Sequence, residues 1–296
     1  MNYKYRFTLF TPCYNSAKYI HRVFKSIDSF TIRDFEWIVI NDASTDNTND
    51  IITDYISSRD IKVKYINRES NKGILQGIND ALHLAEGYFF IKMDHDDEWA
   101  PNTLDVYDSL LKKYDSPMIA GIAVFCKSQF GDVVGDLFST DVHVANYWEA
   151  FFEKGKVRQE IPINCKTSIL VDYYDRFPET ANKHKMIACK YNIILSNAVL
   201  RTYYVNENPD RLSNRSKKNM VERIGIIDFL YFFNYYQYVM KGNLTAKIRL
   251  FFQYPYYGII AGKGYLDLVR PVEKFGNKLL FTILYLPAKI ITFIKK

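Results

Sequence analysis

The sequence predicts an α/β protein with a mostly parallel, twisted sheet, helices on both faces of that sheet, and a helical C-terminal extension. In the first hundred residues, short apolar runs alternate with segments of helical periodicity. A polar turn follows each of the four apolar runs in this part, and aromatic residues at helical spacing fill the last third. Strands that alternate with helices pair in parallel through right-handed crossovers, which places helices on both sides of the sheet.

The predicted elements follow one another in the order that such a sheet needs. A strand at residues 6–10 is stopped by Pro12, and a helix at 17–29 carries apolar residues at helical spacing. Strands at 35–40, 62–66 and 88–93 alternate with helices at 48–57 and 74–85. After Pro101 the pattern loosens, with strands predicted at 118–124 and 133–135, mixed signals at 147–175, and helices at 220–240 and 245–261.

Composition limits the class of protein. The chain of 296 residues is 48% hydrophobic and 24% charged, so we expect a large core and no wholesale disorder. The net charge of +6 suits anionic substrates or an anionic membrane, and no nucleic-acid motif accompanies it, so we expect no nucleic-acid partner. Cys13, Cys126, Cys165 and Cys189 form no Cys-x-x-Cys pair, which favours reduced thiols in a cytoplasmic protein.

Neither end of the sequence predicts a membrane span. The N-terminus leads into a strand without the apolar core of a signal peptide. The most apolar C-terminal stretch, residues 279–294, is interrupted by Pro287 and Lys289 and falls short of the roughly 18 apolar residues that a span needs. We therefore expect a protein that is not exported by a visible signal and does not cross the membrane.

The four polar turns predict the position of a site. They lie at residues 11–15, 41–46, 67–73 and 94–97, each directly after a predicted strand. Ligands in open α/β sheets bind beyond the carboxyl ends of the parallel strands. The side chains of these turns should therefore meet at one edge of the sheet.

The fourth turn, Asp94-His95-Asp96-Asp97, has the chemistry of a cation site. Mg²⁺ and Mn²⁺ favour carboxylate and phosphate oxygens, and Asp94 and Asp96 are spaced so that both can face one cavity. Clustered carboxylates repel each other, so we expect a bound ion or a raised carboxyl pKa. The alternative is a polar turn that caps the next helix. We expect His95 to act as a spacer.

These turns together resemble those of family 2 glycosyltransferases, which have the GT-A fold. Thr11-Pro12-Cys13-Tyr14-Asn15 resembles the opening Pro-x-Tyr-Asn element of the family. Residues 41–46 resemble its Asp-Gly-Ser-x-Asp turn, with Ala43 in place of the usual glycine. Residues 71–73 and 77–79 resemble the third turn and its helix, with Ile78 where many relatives carry arginine, and residues 93–97 resemble the metal motif.

The resemblance implies a role for each turn. Asp42 would contact the nucleotide base, and the turn with Thr11, Pro12, Tyr14 and Asn15 would pack against base and ribose. Asp94 would lie near the ribose, and Asp94 and Asp96 would hold the Mn²⁺ or Mg²⁺ ion that bridges the diphosphate. Gly73 and Asn79 complete the implied donor-binding set. Lys72 is a candidate phosphate neighbour, and a solvated surface lysine is the alternative.

The second half should supply the catalytic base, because sugar transfer with inversion needs a carboxylate that accepts the proton of the attacking hydroxyl. Residues 166–170 and 176–179 resemble the acceptor side of the family, which makes Glu179 the predicted base. Glu160, Asp175 and Asp97 are alternatives. Trp99 could stack on a sugar or anchor the next helix as a buried side chain.

The C-terminal region predicts a membrane surface as a partner. Lysines such as Lys274, Lys278 and Lys289 border an apolar, aromatic segment, a pattern typical of a helix that lies in the membrane interface. A helix packed on the catalytic domain is the alternative. We accordingly divide the chain into a GT-A catalytic domain at 1–212 and a helical, basic, aromatic region at 213–296. Within the catalytic domain, residues 1–100 form the nucleotide-sugar half and residues 101–212 the acceptor half.

The prediction is therefore an inverting, cation-dependent glycosyltransferase that lies on the cytoplasmic face of a membrane. It would move a sugar, with a UDP-sugar as the expected donor, to a saccharide or lipid-linked acceptor in surface-polysaccharide synthesis. Two alternatives stay open: a non-catalytic nucleotide- or saccharide-binding protein of the same fold, and a sugar nucleotidyltransferase. The latter would normally carry a Gly-rich basic loop after the first strand, where this chain has residues 12–15.

Overall fold

The computed structural model describes residues 2–146, 163–177, 183–204, 230, 233–234 and 244–294. The chain forms two compact units. The first contains residues 1–176 and 191–208, and the second contains residues 177–190 and 209–296. The division at 212/213 into a catalytic domain and a C-terminal region stays a prediction.

The first half of unit 1 is a parallel sheet with crossover helices. Its strands are β1 (Tyr5–Cys13), β2 (Phe35–Asn41), β3 (Val63–Asn67) and β4 (Gly87–Lys92), and its helices are α1 (His21–Ser29), α2 (Thr48–Ser57) and α3 (Gly73–Leu84). The strands lie in the order β3-β2-β1-β4, and each neighbouring pair is parallel. Every residue of β2 is buried, as expected for a strand covered on both faces.

The second half of unit 1 extends the same sheet with mixed pairing. It contains β5 (Glu98–Trp99), α4 (Thr103–Tyr114), β6 (Ile119–Ser128), β7 (Val142–Asn146), β8 (Ile163–Lys166), α5 (Thr167–Arg176) and β9 (Asn192–Tyr203). Strand β8 is antiparallel to both β4 and β6, whereas β6 and β9 are parallel. Strands β5 and β7 are antiparallel to β9. The mostly parallel α/β architecture is confirmed.

The register places the polar turns at one edge of the sheet. Cys13 at the end of β1 pairs with Asn41 at the end of β2, and Asn41 pairs with Asn67 at the end of β3. Phe10 pairs with Lys92, the last residue of β4. The four turns therefore leave neighbouring strands on the same side. The core beneath them is apolar and includes Leu9, Trp37, Ile91 and Val124, all fully buried.

Unit 2 is helical in its described part. It contains α6 (Lys183–Lys190), α7 (Leu244–Ile260), α8 (Tyr265–Val269) and α9 (Phe275–Ile294). Its small core is aromatic and consists of Phe233, Phe251, Tyr254, Leu268, Val272 and Phe281. Tyr254 can be buried here because its hydroxyl donates a hydrogen bond to the Leu268 carbonyl (2.7 Å). The predicted helix at 245–261 is confirmed, whereas most of the helix predicted at 220–240 lies outside the described residues.

Several local predictions were wrong. Pro12 does not stop the first strand, because β1 runs through it to Cys13. The strand predicted at 133–135 is a single bridge, in which Val133, in the turn after β6, pairs with Lys127 of β6. The interruption predicted at Pro287 and Lys289 does not end α9, which runs through both as a helix of 20 residues. Of the described helices, α9 is the one whose length and apolar composition would suffice to cross a membrane, which alone is weak evidence for a span. The twelve-residue strand β9 was not predicted at all.

Candidate functional site

The first two turns are locked together by Asn15. Its side-chain oxygen accepts hydrogen bonds from the Thr45 amide (2.8 Å) and hydroxyl (3.2 Å), and its own amide donates to the Ser44 hydroxyl (2.9 Å). Asn15 has a φ of 48°, a conformation that asparagine tolerates better than most residues. The described role of Asn15 is therefore to fix the two turns relative to each other.

The other predicted residues of the first turn differ in their exposure. Thr11 is fully buried, and its hydroxyl oxygen accepts a hydrogen bond from the Trp37 indole nitrogen (3.0 Å), so its side chain supports the turn from below. Tyr14 is 46% exposed and can offer its ring to a ligand. The Pro12 carbonyl lies 3.1 Å from Nδ1 of His95, which places the proton on that nitrogen because a carbonyl oxygen can only accept. His95 thus ties the first turn to the fourth.

Asp42 links the second turn to the third. Its carboxylate accepts hydrogen bonds from the Arg68 guanidinium (2.6 Å) and from the backbone amides of Lys72 (3.0 Å) and Gly73 (2.7 Å). Burial raises the pKa of Asp42, but these three donors outweigh it and the net pKa is lowered. Arg68 also forms an ion pair with Asp80 of α3. Asp42 therefore stays ionised and organises the loop that the donor is predicted to meet.

Lys72, Gly73 and Asn79 lie at and after the start of α3. Gly73 has a φ of 81°, which a glycine adopts without strain. The Lys72 side chain is exposed, so the two hypotheses for it, a phosphate neighbour or a surface lysine, stay open. The side-chain oxygen of Asn79 is buried and has no hydrogen-bond partner among the residues that the structure describes, although buried polar atoms normally have one.

The fourth turn carries its own counterions. One carboxylate oxygen of Asp94 accepts a hydrogen bond from the Lys92 ammonium (2.6 Å), and the other lies 3.7 Å from the Arg201 guanidinium. Arg201 comes from β9 and lies 3.3 Å from the Asp97 carboxylate. Burial raises the pKa of Asp94, but the charges of Lys92 and Arg201 outweigh it, and the net pKa is lowered. Of the two expectations for the cluster, a bound ion or a raised carboxyl pKa, Asp94 does not show the raised pKa, because Lys92 and Arg201 offset its charge. The bound ion stays a prediction.

Asp96 and Asp97 are both buried, at 5% and 1% exposure. The Asp96 carbonyl accepts a hydrogen bond from the Arg22 guanidinium (2.8 Å), which lies 3.4 Å from the centre of the Tyr204 ring. Arg22 of α1 and Arg201 of β9 therefore hold the turn from two elements. This rigidity is what a site needs if its carboxylates are to keep one geometry.

The described residues contain no group of three or more His, Cys, Asp or Glu side chains placed to hold a metal ion. Mg²⁺ is usually bound by one or two carboxylates, with substrate phosphates and waters completing its octahedron. The donor set of Asp94 and Asp96 fits that mode, in which the nucleotide diphosphate provides further ligands. It does not fit an all-protein cage.

Of the four candidates for the catalytic base, the structure describes Asp97 and Asp175 only. Glu179 and Glu160 lie outside the described residues. Asp175 lies 3.2 Å from His83, which is near the C-terminal end of α3. Because α3 begins at the site edge of the sheet and ends where β4 starts, Asp175 lies at the opposite edge of the sheet. Asp97 is buried, and its carboxylate lies 3.3 Å from the Arg201 guanidinium, so it is engaged in an ion pair. The position of Asp175 does not favour its role as the base.

Trp99 is buried, at 1% exposure, and packs edge-on against Tyr107 of α4. This geometry supports the hypothesis that Trp99 anchors the next helix as a buried side chain. Among the described residues, Cys13, Cys126 and Cys165 are buried and form no disulfide with one another, and the Cys189 side chain is outside the described part.

Four charged residues of the site were missed from the sequence: Arg22, Arg68, Lys92 and Arg201. Arg68 directly follows the last residue of β3, so its position after a strand end was a usable signal. Arg201 had no local signal, because it faces Asp94 and Asp97 only through the pairing of β9 with β5 and β6.

Known proteins with similar sequences are glycosyltransferases and a teichoic acid polymerase, and one family model matches this chain. The family model described as "Glycosyl transferase family 2" matches residues 8–173 of this chain. A teichoic acid poly(glycerol phosphate) polymerase of Staphylococcus epidermidis is 28% identical over 181 residues, which cover 60% of this chain and 24% of the polymerase. The putative teichuronic acid biosynthesis glycosyltransferase TuaG of Bacillus subtilis is 32% identical over 104 residues, 35% of this chain and 41% of TuaG. The chain thus spans less than half the length of either relative.

Solved structures share the fold. S. aureus TarS, residues 1–349, in complex with UDP-GlcNAc superposes with a TM-score of 0.65 at 19% identity, over 90% of this chain and 82% of that one. The mannosyltransferase PcManGT of Pyrobaculum calidifontis, in complex with GDP-Man and Mn²⁺, gives a TM-score of 0.55 at 19% identity, over 98% of this chain and 87% of that one. The GT-A fold predicted from the turns is confirmed.

Proposed function

This chain belongs to glycosyl transferase family 2, and we propose that it transfers a sugar from a nucleotide-sugar donor to a saccharide or lipid-linked acceptor in bacterial surface-polysaccharide synthesis. One observation carries the proposal: four polar turns meet at the carboxyl edge of strands in the order β3-β2-β1-β4, with an acidic turn on β4. The complexes of TarS with UDP-GlcNAc and of PcManGT with GDP-Man support a nucleotide sugar as the donor. A UDP-sugar is our first expectation.

In the proposed mechanism, the turns bind and orient the donor. Tyr14 offers an exposed ring to the nucleotide base, and the loop that Asp42 organises would lie next to that base. Asp94 and Asp96 would hold Mn²⁺ or Mg²⁺, which when bound stabilises the charge that develops on the leaving diphosphate. A carboxylate of the acceptor half, with Glu179 as our assignment, takes the proton of the attacking hydroxyl. The reaction then inverts the anomeric centre, because the acceptor attacks from the face opposite the diphosphate.

The test is a transfer assay with UDP-, GDP- and dTDP-sugars in the presence of Mn²⁺, combined with donor binding by thermal shift. We expect stabilisation and turnover with one nucleotide class. Asp96→Asn should lower turnover at least a hundredfold, because a positioned transition-state charge contact typically contributes that much. The matched control is Asp54→Asn, which removes an exposed carboxylate of α2. If none of the UDP-, GDP- and dTDP-sugars stabilised the protein in the thermal-shift measurement, the proposal would be contradicted.

A membrane surface is the proposed second partner, and the exposed face of α9 supports it. Seven large apolar side chains of this helix are more than half exposed. Six of them recur every three or four residues, and Ile294 follows the last: Phe275, Leu279, Ile283, Leu286, Ile290, Phe293 and Ile294. The opposite face carries Phe281 and Ala288, both fully buried in unit 2. Exposed Lys278 and Lys289 lie beside the apolar stripe and suit anionic headgroups. The protein would then lie on the cytoplasmic face of the membrane, attached by a helix in the interface.

Vesicle sedimentation tests this attachment. Leu286→Glu should weaken binding to vesicles with anionic lipid about tenfold or more, because burial of one leucine contributes roughly 1.5–3 kcal/mol. Leu266→Glu is the matched control, since Leu266 is 59% exposed on α8 and Leu286 is 64% exposed on α9. Deletion of residues 274–296 should release the protein. Equal losses for the two leucine variants would count against the α9 stripe.

A further inference from the structure

We propose that Lys92 is a resident counterion of Asp94 which a divalent cation must displace, so that cation binding becomes tight only together with a nucleotide diphosphate. This rests on the proposed function, because the cation and the diphosphate belong to it. It adds a residue that controls the order of binding. Lys92 is a positioning residue here, since it acts on the cation through Asp94.

The two cations that face Asp94 and Asp97 differ in their freedom to move. The Lys92 side chain is 39% exposed, and its ammonium lies 2.6 Å from Asp94, which is 29% exposed. The side chain of Arg201 is 8% exposed and lies 3.3 Å from that of Asp97, which is 2% exposed. An exposed lysine can swing into water at little cost, whereas separating a buried guanidinium from a buried carboxylate is costly. Arg201 is therefore the permanent partner, and Lys92 is the exchangeable one.

The backbone at Lys92 is fixed even though its side chain is not. It is the last residue of β4, paired with Phe10, and its amide donates a hydrogen bond to the side chain of Asn164 (3.1 Å). Displacement of the ammonium therefore requires rotation about side-chain bonds only. The carboxylate that Lys92 leaves stays in its place at the end of the strand.

The local charge explains why the donor should matter. Asp94, Asp96 and Asp97 contribute three negative charges, and the three cations that contact the turn, Lys92, Arg201 and Arg22, contribute three positive ones, so the formal charge is about zero. A divalent cation added to this turn finds little net negative charge and competes with Lys92 for Asp94. A diphosphate supplies further negative charge and oxygen ligands, so cation and diphosphate should favour each other's binding.

The experiment measures Mn²⁺ binding to the full chain by electron paramagnetic resonance of the free ion, without and with UDP. In the wild type we expect weak binding alone and at least tenfold tighter binding with UDP. Lys92→Met should tighten binding of Mn²⁺ alone about tenfold and reduce the effect of UDP, because removal of an adjacent positive charge favours the cation. Lys92→Gln provides a second uncharged variant, and circular dichroism checks that both are folded.

Two controls separate the possible results. Lys112→Met removes a lysine paired at 2.6 Å with Asp108, which also binds Arg6 near the start of β1, at the opposite edge of the sheet. It should leave Mn²⁺ affinity unchanged. Asp96→Asn should abolish binding in every background. If Lys92→Met binds Mn²⁺ as the wild type does while Asp96→Asn abolishes binding, the role of Lys92 is refuted and the cation site stands. If neither lysine variant nor the wild type binds Mn²⁺ with UDP, the cation site itself is refuted.

Discussion

The guanidinium of Arg201 lies 3.3 Å from the carboxylate of Asp97, although the two residues are far apart in the chain and only the pairing of β5 with β9 brings them together. Arg201 also lies 3.7 Å from Asp94, and burial leaves it 7% exposed. The charges of Asp97 and Asp94 raise the pKa of Arg201 against the effect of burial, so the guanidinium stays charged at every relevant pH. The acidic turn thus depends on a strand from the second half of the sheet.

The first prediction follows from this ion pair. Arg201→Met should lower the free energy of unfolding by about 3–5 kcal/mol, because it leaves a buried carboxylate without its partner. Urea denaturation at pH 7 measures the change. The control is Arg59→Met, which removes a pair with Asp28 in which both side chains are 41% exposed, and which should change little. Similar effects for both variants would mean that the Arg201 pair is screened by water.

The second prediction concerns the pH dependence of Asp42. Its pKa is lowered in the folded protein, so its hydrogen bonds stabilise the fold above the unfolded pKa of about 3.9 and this contribution is lost as the pH falls through the folded pKa. Asp42→Asn should lower the free energy of unfolding by about 1–3 kcal/mol at pH 7, because two backbone amides and Arg68 lose a charged acceptor. Between pH 4 and pH 2 the difference from the wild type should narrow.

Urea denaturation at pH 7, 5, 4 and 3 measures that difference. Asp54→Asn, in the exposed face of α2, is the control and should show a small effect at pH 7. A gap between wild type and Asp42→Asn that widens on acidification would contradict the lowered pKa. The same change should disturb the site, because Asp42 holds the amides of Lys72 and Gly73 in the loop that is proposed to meet the donor.

The part of the site that sequence could predict is the part built from consecutive strands. Each of the four turns directly follows its strand, so periodicity and the rule for strand ends were enough to place Asp42 and Asp94 at one edge. The counterion Arg201 could not be placed, because β9 joins the sheet beside β6 and its register cannot be read from local pattern. Likewise, burial rather than sequence decides that Thr11 and Trp99 support the site from within.

The third prediction concerns Ala43, which has a φ of 59° where the family resemblance expects glycine. A left-handed conformation costs an L-residue roughly 1–2 kcal/mol, and glycine avoids this cost but loses more backbone entropy on folding. Ala43→Gly should therefore raise the free energy of unfolding by up to about 1 kcal/mol. Ala17→Gly, at a half-buried alanine outside the positive-φ residues, should lower it by about 0.5–1 kcal/mol. Thermal and urea denaturation of both variants give the comparison, and a loss of stability for both would refute strain at Ala43.

The fourth prediction concerns the catalytic base. Glu179→Gln should abolish transfer, at least a thousandfold in kcat, while donor binding measured by thermal shift stays within a factor of about three, because a general base acts on the acceptor hydroxyl and not on the nucleotide. Asp175→Asn is the matched control from the same stretch of chain, since Asp175 lies 3.2 Å from His83 at the opposite edge of the sheet and the variant should keep its activity. Glu160→Gln distinguishes the remaining alternative. Loss of transfer in Glu160→Gln with full activity in Glu179→Gln would move the assignment to Glu160.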